Sequence, residues 1–368
     1  MRRALHIITG LNQGGAERQL GTLVAAGADD NAVFSILPPG VMSAPIREAG
    51  IPLFSGGARN SLSPVWLPRL RAALRAYQPD VVMGWMYHGN LAASMTRLMG
   101  YRGPVLWNVR HSVDDLRQEK TATQWAIRAG ARFSRGPARI VYNSATAARQ
   151  HEDLGYASTK TEVIPNGFDI KRFRPNESAR AFQRRALDIG EDALVLGVVG
   201  RSHPMKNHEA WLAVFDRLAE ERRDIFSVIV GRGVPAALEG LLKERALQNR
   251  VFLMEGVNEP EKVYPAFDML VLPSAWGEGF SNVVGEAMAC GVPAAVTPVG
   301  DSAQIVRGTG FVTSDSTVNS LYQSVREVLS LGKGELRRRG QMARESVVCE
   351  YSQHAMVRRY EKVLKSSL

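Results

Sequence analysis

Two series of short apolar runs, with stretches of helical periodicity between them, organise this chain. In the first half the runs are ALHIIT (4–9), AVFSIL (32–37), DVVMGW (80–85), PVLWNV (104–109) and RIVYN (139–143), with GAERQLGTLVAAGA (15–28) and PRLRAALRAYQ (68–78) among the segments between them. Short runs that are apolar throughout belong to strands buried on both faces, and strands that alternate with helices build parallel sheets covered on both sides. The pattern breaks at VIPNGFDIKRFRPNES (163–178), where Pro, Asn and Gly cluster, and this stretch reads as a linker. It resumes with ALVLGVVG (193–200), FSVIVG (226–231), RVFLME (250–255), DMLVLPS (268–274) and PAAVTPV (293–299), with HEAWLAVFDRLAEERR (208–223) as one of the intervening helices. The expectation is an α/β chain of two doubly wound domains, 1–165 and 166–345, facing an inter-domain cleft. The remainder, 346–368, reads as helix and is free to cross back over the first domain.

The chain has 368 residues, enough for two cores, and 45% hydrophobic with 22% charged residues is the profile of a soluble globular protein. No run approaches the roughly 18 apolar residues of a membrane span, and MRRALHIITG is too short in its apolar part for a signal peptide, so a cytoplasmic protein is expected. Cys290 and Cys349 have neither disulfide-framework nor metal spacing. The net charge of +10 is concentrated: residues 1–165 hold 19 Lys and Arg against 11 Asp and Glu, and residues 166–368 hold 27 against 25. A basic first domain suits phosphorylated substrates or anionic lipid, and the lack of zinc-finger, ribonucleoprotein or helix-turn-helix patterns argues against nucleic acid.

Ligands of open parallel sheets bind at the carboxyl ends of strands, and four loops there carry unusual residues. TGLNQGGAE (9–17) places Gly14 and Gly15 before a helix, where backbone approaches a ligand closely and the helix N-terminus favours anions. GRSHPMKNH (200–208) offers Arg201 as a fork and Lys206 as a point charge for a diphosphate; two solvated cations are the plain alternative. NVRHSVDD (108–115) brings His111 to a strand end, and GWMYHGN brings His88, a weaker acceptor-side candidate; His203 reads as a loop residue.

The fourth loop is WGEGFSNVVGEAMACGVP (276–293). Its carboxylates Glu278 and Glu286 would lie about 80° apart were the whole segment helical, so it reads as a loop followed by a helix starting near Ser281 or Asn282. Gly279, Phe280, Ser281 and Asn282 then supply a turn of backbone N–H groups at a positive helix end, suited to phosphate. Glu278 can accept hydrogen bonds from sugar hydroxyls, and Glu286 can accept two from a ribose. An exposed helix position is the alternative for Glu286, but its apolar neighbours point to burial.

EGFSNVVGE resembles the E-x(7)-E signature of retaining glycosyltransferases of family 4, which have the GT-B fold of two Rossmann-like domains. GGAE (14–17), IPNGFD (164–169), Arg201 with Lys206, VGRG (230–233) and GEAMACGVPAAVTPVGDSAQIV (285–306) extend the resemblance over nearly the whole chain. It implies a hexosyltransferase-type enzyme moving a sugar from a UDP- or GDP-sugar to a glycan or polyprenyl-diphosphate-linked acceptor in surface polysaccharide synthesis. Arg201 and Lys206 would hold the diphosphate, Glu286 the ribose, and Glu278 with Gly279–Asn282 the donor sugar and phosphates. EGVNEP (255–260) would lie by the nucleobase, and His111 would face the donor sugar. No D-x-D occurs, so no metal and no further cofactor are expected. A GT-B nucleotide-sugar epimerase and a non-catalytic nucleotide-sugar-binding subunit are the rival readings.

TATQWAIRAGARFSRGPAR (121–139) sets Trp125, Ile127 and Phe133 among Arg128, Arg132, Arg135 and Arg139. Such a helix suits an anionic bilayer surface on the cytoplasmic face of a membrane, or equally a domain helix with its apolar stripe in the core and arginines in water.

Overall fold

The computed structural model describes residues 3–12, 14–27, 30–61 and 63–367. Gln13 of the first glycine loop and Ala28 of the first predicted helix lie outside the described residues. The chain divides into two compact units, one of Met1–Gly167 with Gln353–Leu368, the other of Phe168–Ser352.

The first unit holds seven parallel strands: β1 (Arg3–Ile8), β2 (Asp30–Ser35), β3 (Leu53–Ser55), β4 (Val81–Trp85), β5 (Val105–Val109), β6 (Arg139–Tyr142) and β7 (Thr161–Val163). Their order is β3-β2-β1-β4-β5-β6-β7, so the direction of winding reverses between β1 and β4. Residues alternate across the sheet as the pleat requires: Leu5 and Ile7 enter the apolar cluster on one face, Ala4 and Ile8 the cluster on the other. His6 is fully buried between Trp85, whose indole N–H donates to Nδ1 at 3.1 Å, and Asn31, whose Oδ1 lies 3.1 Å from Nε2. An indole nitrogen only donates, so the imidazole is neutral with its proton on Nε2.

The second unit holds β8 (Leu194–Val199), β9 (Ile225–Val230), β10 (Val251–Met254), β11 (Met269–Leu272), β12 (Ala294–Val296) and β13 (Phe311–Val312), in the order β10-β9-β8-β11-β12-β13. Its reversal falls between β8 and β11. Leu194, Leu196 and Val198 face one apolar cluster and Val195 the other.

The stretch read as a linker is divided between the units. Ile164 and Asn166 are buried in the first, and Phe168 and Phe173 in the second. Gln19 clasps Gly167 from both sides, donating from Nε2 to its carbonyl (3.2 Å) and accepting its N–H at Oε1 (3.1 Å). The C-terminal region is two helices, Gly332–Glu350 and Gln353–Ser366.

Candidate active site

In the second unit the two loops beside the winding reversal are joined to each other. One follows β8 and carries Arg201 and Lys206; the other follows β11 and carries Glu278. Ala275 N–H donates to Met205 O at 2.9 Å, and Lys206 Nζ donates to Glu278 Oε1, which also accepts from Ser274 Oγ at 2.7 Å. Ser274 is itself fixed, its carbonyl accepting from Thr297 Oγ1 at 2.7 Å. The Lys206 stem lies against Gly200, and His203 shapes the turn by accepting Met205 N–H at Nδ1 (3.3 Å). Arg201 is exposed and its guanidinium makes no hydrogen bond or ion pair among the described residues.

Backbone crowding sets the floor of this region. A Cβ on Gly231 would lie 1.8 Å from Gly200 O, and one on Gly300 would lie 1.9 Å from Glu278 O. Gly300 also has φ +61°, a conformation that glycine adopts without strain. Asp301 N–H donates to Gly279 O at 3.0 Å, which holds the turn onto the segment after β12.

Helix Asn282–Ala289 begins immediately after that turn, with Ser281 at its N-cap making no side-chain cap bond. Phe280 is buried, its ring stacked on Phe168 (6.1 Å) and tilted against Tyr351 (5.3 Å), so its side chain supports the turn. Glu286 is buried at 6% exposure and accepts from Tyr264 OH at 2.9 Å. It is therefore not an exposed helix residue, and a buried carboxylate requires such donors. Arg172, which is hydrogen-bonded to Glu261 Oε2 at 2.8 Å, is near enough to feel the charge of Glu286. In EGVNEP, Glu255 accepts Gly233 N–H at 2.9 Å, tying it to the loop after β9.

In the first unit, His111 Nε2 lies 2.7 Å from Glu119 Oε1, and its ring meets that of Tyr87 edge-on at 6.2 Å. The pairing with His111 holds the Glu119 carboxyl below its usual range. Tyr87 OH in turn bonds His151 Nε2 at 3.0 Å; His151 Nδ1 sits 2.7 Å from Ala147 O, which can only accept, so Nε2 takes the tyrosine proton. His88 lies near the start of helix Met86–Met95, its Nε2 buried without a hydrogen bond, and burial lowers its pKa. Gly14 is the extended N-cap of helix Gly15–Ala26 and Gly15 its first residue. Ser274, Tyr264 and Glu119 are the contributors that the sequence did not single out.

A cavity of about 510 Å³ in the second unit lies elsewhere, at the amino ends of β11 and β12. Among its lining cations Arg180 is bound to Asp268 Oδ1 (2.6 Å) and Arg344 to Phe173 O (3.1 Å) and Ile170 O (3.3 Å), which marks them as structural.

Residues 13–172 match the family described as Glycosyltransferase Family 4, and residues 179–346 that described as Glycosyl transferases group 1. The chain belongs to the family 4 type of GT-B glycosyltransferases. EpsF of Bacillus subtilis (strain 168) is 28% identical to this glycosyltransferase over 332 residues, 85% of this chain and 83% of EpsF. The lipopolysaccharide core biosynthesis mannosyltransferase LpsB of Rhizobium meliloti (strain 1021) is 33% identical over 171 residues, 45% of this chain; the match spans about half of LpsB, 48%. Among solved structures, Anabaena HepE in complex with UDP superposes with a TM-score of 0.85 at 18% identity, over 99% of this glycosyltransferase and 100% of HepE.

Proposed function

We propose that this glycosyltransferase moves a sugar, with retention of anomeric configuration, from a UDP- or GDP-sugar to a glycan or polyprenyl-diphosphate-linked acceptor in surface polysaccharide assembly. The observation that carries the donor reading is the joining of the Lys206 and Glu278 loops at the winding reversal of the second sheet, beside Arg201, which is unpaired among the described residues, and the start of helix Asn282–Ala289. That constellation puts cations and a positive helix end where a diphosphate binds in open α/β sheets. HepE has been solved with UDP and with UDP-glucose, which favours a uridine donor, and LpsB supports a place in glycan assembly.

In this reading Arg201 and Lys206 hold the diphosphate, and Gly279–Asn282 present N–H groups to its oxygens. Glu286, oriented by Tyr264, accepts from the ribose hydroxyls. Glu278 addresses the donor sugar, and the first unit offers His111 and the glycine loop at Gly14 and Gly15 as its own candidate substrate contacts. As the bond from the anomeric carbon to phosphate oxygen breaks, negative charge grows on the diphosphate and the placed cations favour it; one such contact is worth about 3 kcal/mol of barrier. The acceptor hydroxyl attacks the same face, and its proton passes to the departing phosphate oxygen. No metal or other cofactor is required, because side-chain cations neutralise the phosphate. A lipid-linked acceptor brings the enzyme to the cytoplasmic face of the membrane.

The test is thermal stability with UDP, GDP and ADP in EDTA, for the wild type, Glu286→Ala and Arg201→Ala. A nucleotide-specific rise in Tm that the variants lose supports the donor site; no rise with any nucleotide refutes it.

A further inference from the structure

Helix Thr121–Phe133 turns Ala126, Ile127 and Gly130 into the first unit, so Ile127 is a core residue. Two aromatic side chains face the other way, Trp125 at 66% exposure and Phe133 at 59%. Positions 121, 125, 128 and 132 fall on one helical stripe, which makes Trp125 a neighbour of exposed Arg128 and Arg132, with Arg135 exposed just beyond. The helix packs against Met86–Met95, and the turn Thr96–Met99 that continues the latter presents Leu98 at 87% exposure next to exposed Arg97.

Charge on this face is of one sign. From Thr121 to Gly136 there are three arginines and no acidic residue; Arg139, read from the sequence as part of this helix, is instead the first residue of β6. The acids immediately upstream are engaged: Asp115 with Arg117, and Glu119 with His111. Large apolar side chains left in water beside unopposed guanidinium groups mark an interaction surface. The layering matches a bilayer interface, where Trp and Phe settle among the headgroups and arginine forks meet phosphate.

We propose that this face docks on an anionic phospholipid bilayer, with Trp125 and Phe133 entering the headgroup layer and Arg128, Arg132 and Arg135 on lipid phosphates. Among the described residues no helix is long and apolar enough to cross a membrane, so the contact is a surface one. The proposal deepens the reading of the acceptor as lipid-linked and rests on it only for the purpose of docking; the binding itself is independent of any nucleotide.

The experiment is cosedimentation of the full chain with vesicles of phosphatidylcholine alone and with about 30% phosphatidylglycerol, at low and high salt. Wild type is expected to bind the anionic vesicles at least roughly tenfold more than the neutral ones, with loss in high salt. Arg128→Glu/Arg132→Glu and Trp125→Ser/Phe133→Ser should each lower anionic binding roughly tenfold while keeping the nucleotide-dependent rise in Tm. Equal binding to both vesicles, no binding, or variants that bind like wild type would overturn the proposal. A lost nucleotide response in wild type with vesicle binding intact would instead strike the donor reading alone.

Discussion

Lys206 and Glu278 form an ion pair, with side-chain exposures of 16% and 8%, across two loops that follow neighbouring strands of the second sheet. At rest the lysine is thus partly neutralised, and the carboxylate is held by a second donor, Ser274 Oγ, at 2.7 Å. Breaking a buried pair strands its survivor, which is destabilising by about 3 kcal/mol. Lys206→Met should therefore lower unfolding stability by about that much, and Glu278→Gln by less, since an amide still accepts from Ser274 and Lys206. The double variant should be more stable than the two single losses sum to, as measured by urea unfolding. Strict additivity would mean that the pair does not couple the loops.

Gly300 offers a test of backbone crowding with an internal control. Gly300→Ala places a Cβ 1.9 Å from Glu278 O at φ +61°, whereas Gly308→Ala meets nothing within 4 Å at φ +75°. Left-handed strain alone is about 1 kcal/mol, so Gly308→Ala should lose about that and Gly300→Ala distinctly more, together with its nucleotide response. Matching losses in the two variants would refute the close approach.

Acid should weaken the fold. Burial, opposed by the bond to Asn31, pulls the His6 pKa from 6.5 to about 4; burial does the same for His151, and for His208 burial with the Lys206 charge brings it to about 4. These groups are neutral in the folded chain but take up protons once unfolded, so their stabilising contribution is complete above about pH 6.5 and is lost progressively toward about pH 4. One pH unit below the unfolded value, each loss is on the order of 1 kcal/mol. The urea midpoint should fall between about pH 7.5 and about pH 5.5, and His151→Gln should flatten the slope. A midpoint that holds steady would show that these rings are not kept neutral.

Metal removal gives a direct check on how the diphosphate is neutralised. Chelation with EDTA should leave both the nucleotide-dependent Tm rise and sugar transfer unchanged, while Arg201→Ala should cut transfer by a factor on the order of 100. Recovery of lost activity by added magnesium or manganese would contradict the assignment of that task to Arg201 and Lys206.

The central strands were legible because strands buried on both faces read as unbroken apolar runs. β3, β7 and β13 were not: they are edge strands of two or three residues, and Thr161–Val163 is half-buried to exposed, so no apolar pattern marks it. Of the site, the charged residues of the loops were visible by type and position. Their anchors were not, since Tyr264 reaches Glu286 from 22 positions away and nothing in a lone tyrosine announces its partner. The helix Thr121–Phe133 was half legible: Trp125 and Ile127 are two residues apart and must face apart, yet only the packing shows which one is in the core.

The near contacts of Gly231 with Gly200 and of Gly300 with Glu278 and Gly279 mean that the platform beneath the Lys206 and Glu278 loops is peptide rather than side chain. Such a platform tolerates almost no substitution and keeps one shape. Under the proposed donor reading, differences in donor choice among proteins of this build come from the side chains that stand on the platform and not from the platform itself. Exchanging the stretch 255–260, which that reading sets by the nucleobase, between two such chains should carry nucleotide preference with it and leave the platform unaltered.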